Sequence, residues 1–348
     1  MTTLPPPPDA HPSEADGYDI SGRTPPTDAT DEPDGVHPSG ALDQRAVSAV
    51  EAKSPATRKR QRSGSPGALA DIWGRYKRNK LAVIGLVVVA VILLMAIFQP
   101  FITPYDPFEQ NLYNTTAPPN GDHILGTDVL GRDMFSALVY GARLAMVVGI
   151  GTMLMSAIVG VSFGALAGYR RGLADTLTMR LTDILLAFPL LVGAILVVRI
   201  FGQGVLPVAI ALIVFGWPTS ARLMRGQTLA LRESEYVEAA RSIGASDTRI
   251  VIRHILPNAI APVVVYAFTS VGVVIVAMAA LSFLGVGVPA DVPEWGRLIS
   301  QSYSFIRVPG SEHLWLAPAI AIVVTTLAFA FVADGLRDAL DPKLRGGN

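Results

Sequence analysis

Residues 144–168 read LAMVVGIGTMLMSAIVGVSFGALAG, 25 positions without one Asp, Glu, Lys or Arg. A helix rises about 1.5 Å per residue and needs about 20 apolar residues to cross a bilayer's hydrocarbon core, so this run is long enough. A membrane β-strand would alternate polar and apolar residues over about 10 positions, and no such alternation is present. Gly160, Gly164 and Gly168 recur at every fourth position, a small-residue stripe that lets a second helix approach closely. The stretch is a membrane-spanning helix with one face shaped for packing.

Outward from it, comparable runs occupy Leu81–Phe98, Leu177–Ile200, Val205–Ala221, Ile260–Leu284 and Leu316–Val332. The expected fold is an all-α membrane protein with about six transmembrane helices. Composition agrees: the chain is 51% hydrophobic and only 16% charged, against about a quarter charged in soluble domains. The run Leu177–Ile200 is the least regular, since Arg180 and Asp183 stand near its start and Arg199 near its end. Arg180 and Asp183 lie three apart on one helical face and can pair or snorkel. Pro189, Pro207, Pro218 and Pro262, within or beside these runs, predict kinks or breaks.

The 28 basic and 28 acidic residues cancel in number but not in position. With the N-terminus inside, the cytoplasmic stretches hold Arg170, Arg171, Arg222, Arg225, Arg232, Arg241, Arg249, Arg253, Arg337, Lys343 and Arg345. The outer stretches keep Arg132, Arg143, Arg297 and Arg307, mixed with acids. This asymmetry predicts six spans with both termini cytoplasmic. Residues 1–65 are rich in Pro, Asp, Ser and Gly and nearly lack large apolar groups. They are expected to form a disordered cytoplasmic tail, either inert or a regulatory or partner-binding arm. The tail turns basic at Arg58, Lys59, Arg60 and Arg62, a cluster suited to an anionic leaflet. The first apolar run begins too late for a signal peptide, so the first membrane helix directs insertion.

Several functions are excluded or disfavoured. No cysteine is present, which removes disulfides, thiolate metal sites and a cysteine nucleophile. No P-loop occurs, and the five histidines are scattered without metal-ligand spacing. Residues Gly160–Gly164 spell Gly-x-Ser-x-Gly, the nucleophile-elbow pattern of hydrolases and the one hint of an intramembrane protease. Here Ser162 falls inside an apolar helix, and no span contains the histidine base it would need. Apart from Arg180, Asp183 and Arg199 at the rims, the spans also lack Asp, Glu, Lys and Arg until Asp334, which disfavours a proton-coupled carrier. If the chain transports, its energy arrives from another chain.

Residues 222–259 form the most structured connection. Ser234 is an N-cap candidate, with Glu235, Tyr236, Val237 and Glu238 in the first turn, then Ala239, Ala240, Arg241 and a glycine break at Gly244 before Ala245. A second short helix follows, with a proline stop at Leu256-Pro257. On pattern alone this hairpin serves equally as a solvated connector or as a docking element.

Two resemblances decide between them. Glu238-Ala239-Ala240, three residues, Gly244, then Leu256-Pro257 resembles the Glu-Ala-Ala signature of ATP-binding-cassette (ABC) importer permeases. His254 stands where that family usually has isoleucine. The runs 78–82 (RNKLA), 104–107 (PYDP), Gly126-Thr127-Asp128, Gly131-Arg132-Asp133, 140–143 (YGAR), 293–296 (PEWG) and 335–342 (GLRDALDP) resemble C-type permease subunits of the dipeptide/oligopeptide (peptide/nickel) family. The likeness covers about residues 70–345. It implies a type I importer permease fold over 66–348, with 222–259 as the loop that couples to a separate ATPase. It also implies a homologous second permease, ABC ATPase subunits carrying ATP and magnesium, an extracytoplasmic substrate-binding protein and a lipid surround in a bacterial plasma membrane. No cofactor, metal, catalytic residue or nucleic-acid partner is implied for this chain. The cargo would be di- or oligopeptides, with nickel, glutathione or another small solute as alternatives. The segment 126–133 is a Gly/Asp-punctuated turn feeding an amphipathic outer helix; it would cap the helices or touch the binding protein.

Overall fold

The computed structural model describes residues 67–340, so the proposed tail over 1–65 lies outside the described residues. Helix α1 is Gly67–Tyr76, followed by α2 (Lys80–Ile97), the short α3 (Gln99–Ile102) and the long α4 (Met134–Arg170). Then come α5 (Gly172–Ala187), α6 (Leu190–Phe201), α7 (Val205–Arg232), α8 (Glu235–Ser242) and α9 (Asp247–Ile250). A π-helical turn, Val251–Ile255, leads into α10 (Leu256–Phe283), and α11 (Trp295–Gln301) and α12 (Glu312–Leu340) complete the order. Among the described residues there are no strands, only one isolated bridge between Thr127 and Asp133.

Among the described residues five helical segments are long and apolar enough to cross a membrane, and α5 with α6 makes a sixth if that bent pair is one span. The protein is a multi-pass membrane protein. Exposed Ile84, Val87, Val91 and Leu94 recur on α2 at three- and four-residue spacing. They form an outward apolar stripe that suits lipid rather than water.

Helix α4 is the hub, touching α2, α5, α7 and α10. Its glycine stripe meets α7 as expected. A Cβ at Gly160 would strike Ser220, one at Gly164 would strike the Ala221 carbonyl oxygen, and one at Gly168 would lie 2.8 Å from Thr228 Cβ. At 37 residues, α4 is about 55 Å long, so its two ends serve separate neighbourhoods.

The expected span Leu177–Ile200 is not one straight helix, because α5 and α6 meet at 93°. Phe188 is extended at φ −86°, ψ 132°. The residue before a proline is pushed out of the helical region, and Pro189 has no N–H to continue the ladder. Pro218 and Pro262 lie inside continuous α7 and α10, so of the four prolines Pro189 marks the break. Asp183 does not take Arg180 as its partner; it binds Arg222 on α7 at 2.5 Å. The stop expected at Pro257 is also overturned. The chain stays helical from Asp247 to Phe283, with the π turn immediately before Leu256-Pro257. Such a wider turn accommodates the ring and its missing donor.

Candidate functional site

At the end of the bundle reached by the C-terminus of α4, the hairpin 222–259 folds onto the helices. Val237 and Ala240 are the buried residues of α8, packed with Ala165 and Tyr169 of α4, Met224 of α7, and Ile250, Ile255 and Ala259. Removing a Val from water contributes about 1.5–3 kcal/mol, enough to seat so short a helix on a firm base. Glu235, Tyr236, Glu238, Ala239 and Arg241 face outward, as does Ile243, which is 86% exposed. Ala245 and Leu256 are half-buried and Pro257 is exposed.

The helix ends in a Schellman motif. Gly244 N–H donates to the Arg241 carbonyl at 3.0 Å and Ala245 N–H to the Ala240 carbonyl at 3.1 Å. Gly244 takes φ +80°, a conformation that disfavours any β-branched residue. Ser234 occupies the N-cap position, but its hydroxyl donates back to the Leu231 carbonyl instead of capping an amide. The result is a short helix with a fixed seat and a free face of two carboxylates interleaved with apolar groups. A partner with a basic rim and an apolar groove is the natural complement to such a face.

The opposite end is built differently. Gly126, Thr127, Asp128, Gly131, Arg132 and Asp133 are all buried. Arg132 has 0% exposure, and its Nε donates to Asp128 Oδ2 at 2.6 Å. Its other guanidinium nitrogens reach the Asp291 carbonyl at 2.9 Å and Gln301 Oε1 at 3.1 Å. Asp128 Oδ1 also accepts the backbone N–H groups of Leu130 and Arg132. Asp133 caps α4, accepting Ser136 N–H at 2.8 Å, while its other oxygen meets His123 Nδ1 at 3.0 Å. Gly126 and Gly131, at φ +75° and +72°, stand where a Cβ would strike the Ala117 and Asn111 carbonyls. These side chains clamp loops to the start of α4. They do not feed a separate amphipathic helix, because α4 starts at Met134 and continues unbroken through the membrane run.

Residues 160–346, more than half of the chain, match the family described as the binding-protein-dependent transport system inner membrane component. The chain belongs to that family. Residues 67–119 additionally match the N-terminal transmembrane domain of oligopeptide transport permease C. A glutathione transport system permease protein of Pectobacterium atrosepticum is 40% identical over 278 residues, covering 79% of this chain and 91% of that protein. An oligopeptide transport system permease protein of Bacillus subtilis is 40% identical over 273 residues, 78% and 88% of the two chains. A dipeptide transport system permease protein of Alkalihalophilus pseudofirmus is 41% identical over 269 residues, 77% and 88%. The protein is thus the permease of an ABC importer, a transport component rather than an enzyme.

Ser162 of the permease lies in mid-helix with its hydroxyl donating to the Ile158 carbonyl, so the Gly-x-Ser-x-Gly pattern is helix and not elbow. Other contacts near the hairpin had no counterpart in sequence reasoning. Asp175 of α5 pairs with Arg225 of α7, and Arg171 pairs with Glu233. These partners stand 50 and 62 residues apart, beyond any local spacing rule. Near the clamp, Glu294 is a buried N-cap of α11 that accepts Arg297 N–H at 3.0 Å. Burial pushes its carboxyl above the usual carboxylate range.

Proposed function

We propose that this permease carries di- and oligopeptides inward across a bacterial plasma membrane, with α8 as the element that receives force from a separate ATPase. The observation that carries the mechanism is the contrast within α8: Val237 and Ala240 are buried, and Glu235, Tyr236, Glu238, Ala239 and Ile243 are exposed. A helix so held transmits a push from its outer face to α4, α7 and α10 with little loss to bending. ATP and magnesium bind the ATPase, a homologous permease completes the pathway, and an extracytoplasmic binding protein delivers cargo. ATP binding can shift the permease between inward- and outward-open states only if α8 makes different contacts in each. Peptide cargo is supported by the relatives' names, since dipeptides, oligopeptides and glutathione share a peptide framework.

The orientation puts the hairpin and both termini in the cytoplasm. A reporter at Gly121 or Ser311 is then extracytoplasmic and one near Ser234 cytoplasmic. The cargo test is uptake of a labelled tripeptide by liposomes holding the permease, its partner permease, the ATPase and the binding protein. ATP-dependent accumulation that stops when the ATPase loses its Walker lysine is the expected result. Accumulation of nickel in place of peptides overturns the cargo reading, and uptake driven by an ion gradient without ATP overturns the mechanism.

A further inference from the structure

Beside α8 lies an open cleft of about 480 Å³ lined by Tyr169, Arg170, Arg232, Arg241 and Asp247. Three guanidiniums there face one carboxylate, and that carboxylate accepts the Tyr169 hydroxyl at 2.7 Å. None of the three arginines joins an ion pair among the described residues; the neighbouring Arg171 is the one that takes Glu233. Arg232 lies over the Tyr169 ring at 5.7 Å from its centroid, and its Nη1 is buried with no hydrogen-bond partner. A buried cationic donor without an acceptor is costly, and a bound anion would remove that cost.

Charge and depth narrow the ligand. Guanidiniums match the oxygens of a phosphate group, forming paired, charge-assisted bonds that an isolated carboxylate would use less fully. The apolar run of α4 stops at Gly168, two residues before Arg170, so the cleft sits at the polar edge of the span. Lipid headgroup phosphates occupy that depth, and basic pockets between membrane helices are suited to them.

We propose that this cleft binds a phosphate group, from an anionic phospholipid headgroup or a small free phosphate compound, which clamps α8 to the ends of α4 and α7. The geometry behind the clamp is that Arg170 ends α4, Arg232 ends α7 and Arg241 belongs to α8. The site requires no ATPase and stands apart from the cargo reading.

The test is thermal stability of the purified full-length permease in neutral detergent. One arm adds inorganic phosphate against chloride at equal ionic strength. The other adds phosphatidylglycerol against zwitterionic phosphatidylcholine. Saturable stabilisation is expected in one arm or both. Its apparent affinity should fall roughly five- to tenfold in Arg232→Gln and in Arg241→Gln, and stay unchanged in the distant Arg307→Gln. A response to phosphatidylglycerol alone assigns the headgroup source, and a response to inorganic phosphate alone assigns a free ligand. Because Arg241 is exposed on α8, its substitution tests the site even if Arg232→Gln folds poorly. No saturable effect, or equal effects in the parent, Arg232→Gln and Arg241→Gln, overturns the proposal.

Discussion

Arg132 precedes α4 and Arg170 ends it, yet the two arginines live in opposite environments. The first is fully buried and holds a carboxylate, a backbone carbonyl and a side-chain amide oxygen. The second is exposed, outside any ion pair among the described residues, and lines an open cleft. The same contrast extends to the family motifs around them. Segment 126–133 turns its polar groups inward onto other parts of the permease, whereas α8 seats itself on two apolar residues and exposes Glu235, Tyr236 and Glu238. Motif residues therefore divide into those that build the permease and those available to a partner, and burial is what separates them.

The largest effect on ATPase binding should come from Glu238→Lys. Reversing an exposed charge at a docking face costs about 2.7 kcal/mol, which corresponds to roughly 100-fold weaker ATPase binding and a matching loss of uptake. Stability of the permease alone should move by less than about 0.5 kcal/mol, because nothing buried changes. Co-purification of the ATPase and a melting curve read the two quantities separately. Gly244→Val should also uncouple, with an added stability cost of about 1–2 kcal/mol from forcing a β-branched residue to positive φ.

Arg132→Ala should show the reverse pattern. It leaves Asp128 buried without its cation, which costs about 3–5 kcal/mol, seen as a large drop in Tm. Protein that remains folded should still bind the ATPase normally.

How legible these features were in sequence follows the same division. The five continuous spans were legible because lipid demands long apolar runs, and the Gly160–Gly164–Gly168 stripe because small residues at fourfold spacing have one packing use. Gly244 was legible because a Schellman ending requires positive φ. The break at Pro189 was not separable from Pro218 and Pro262, since whether a helix continues through a proline depends on tertiary neighbours. The partnership of Asp183 with Arg222 was hidden behind the closer Arg180, and a fully buried Arg132 runs against the usual exposure of arginine.

A smaller effect concerns Glu294. Its folded carboxyl titrates above the unfolded range, so the folded state retains a proton that the unfolded chain releases. The stability from this group is fully present below the unfolded carboxylate range and is lost as pH rises through the folded value. Melting curves across that window should lose this slope in Glu294→Gln. An unchanged slope would mean that another group carries it. Ser162→Ala should be smallest of all, within about 0.5 kcal/mol and without effect on uptake, as expected for an exposed helical serine.

Docking of the ATPase on the outer face of α8 can be read directly by crosslinking. The chain has no cysteine, so Ala239→Cys supplies a unique thiol on that face. With the ATPase bound, a crosslink from this thiol to the ATPase and loss of its labelling by a soluble maleimide are expected. Equal labelling with and without the ATPase, and no crosslink, would contradict that docking.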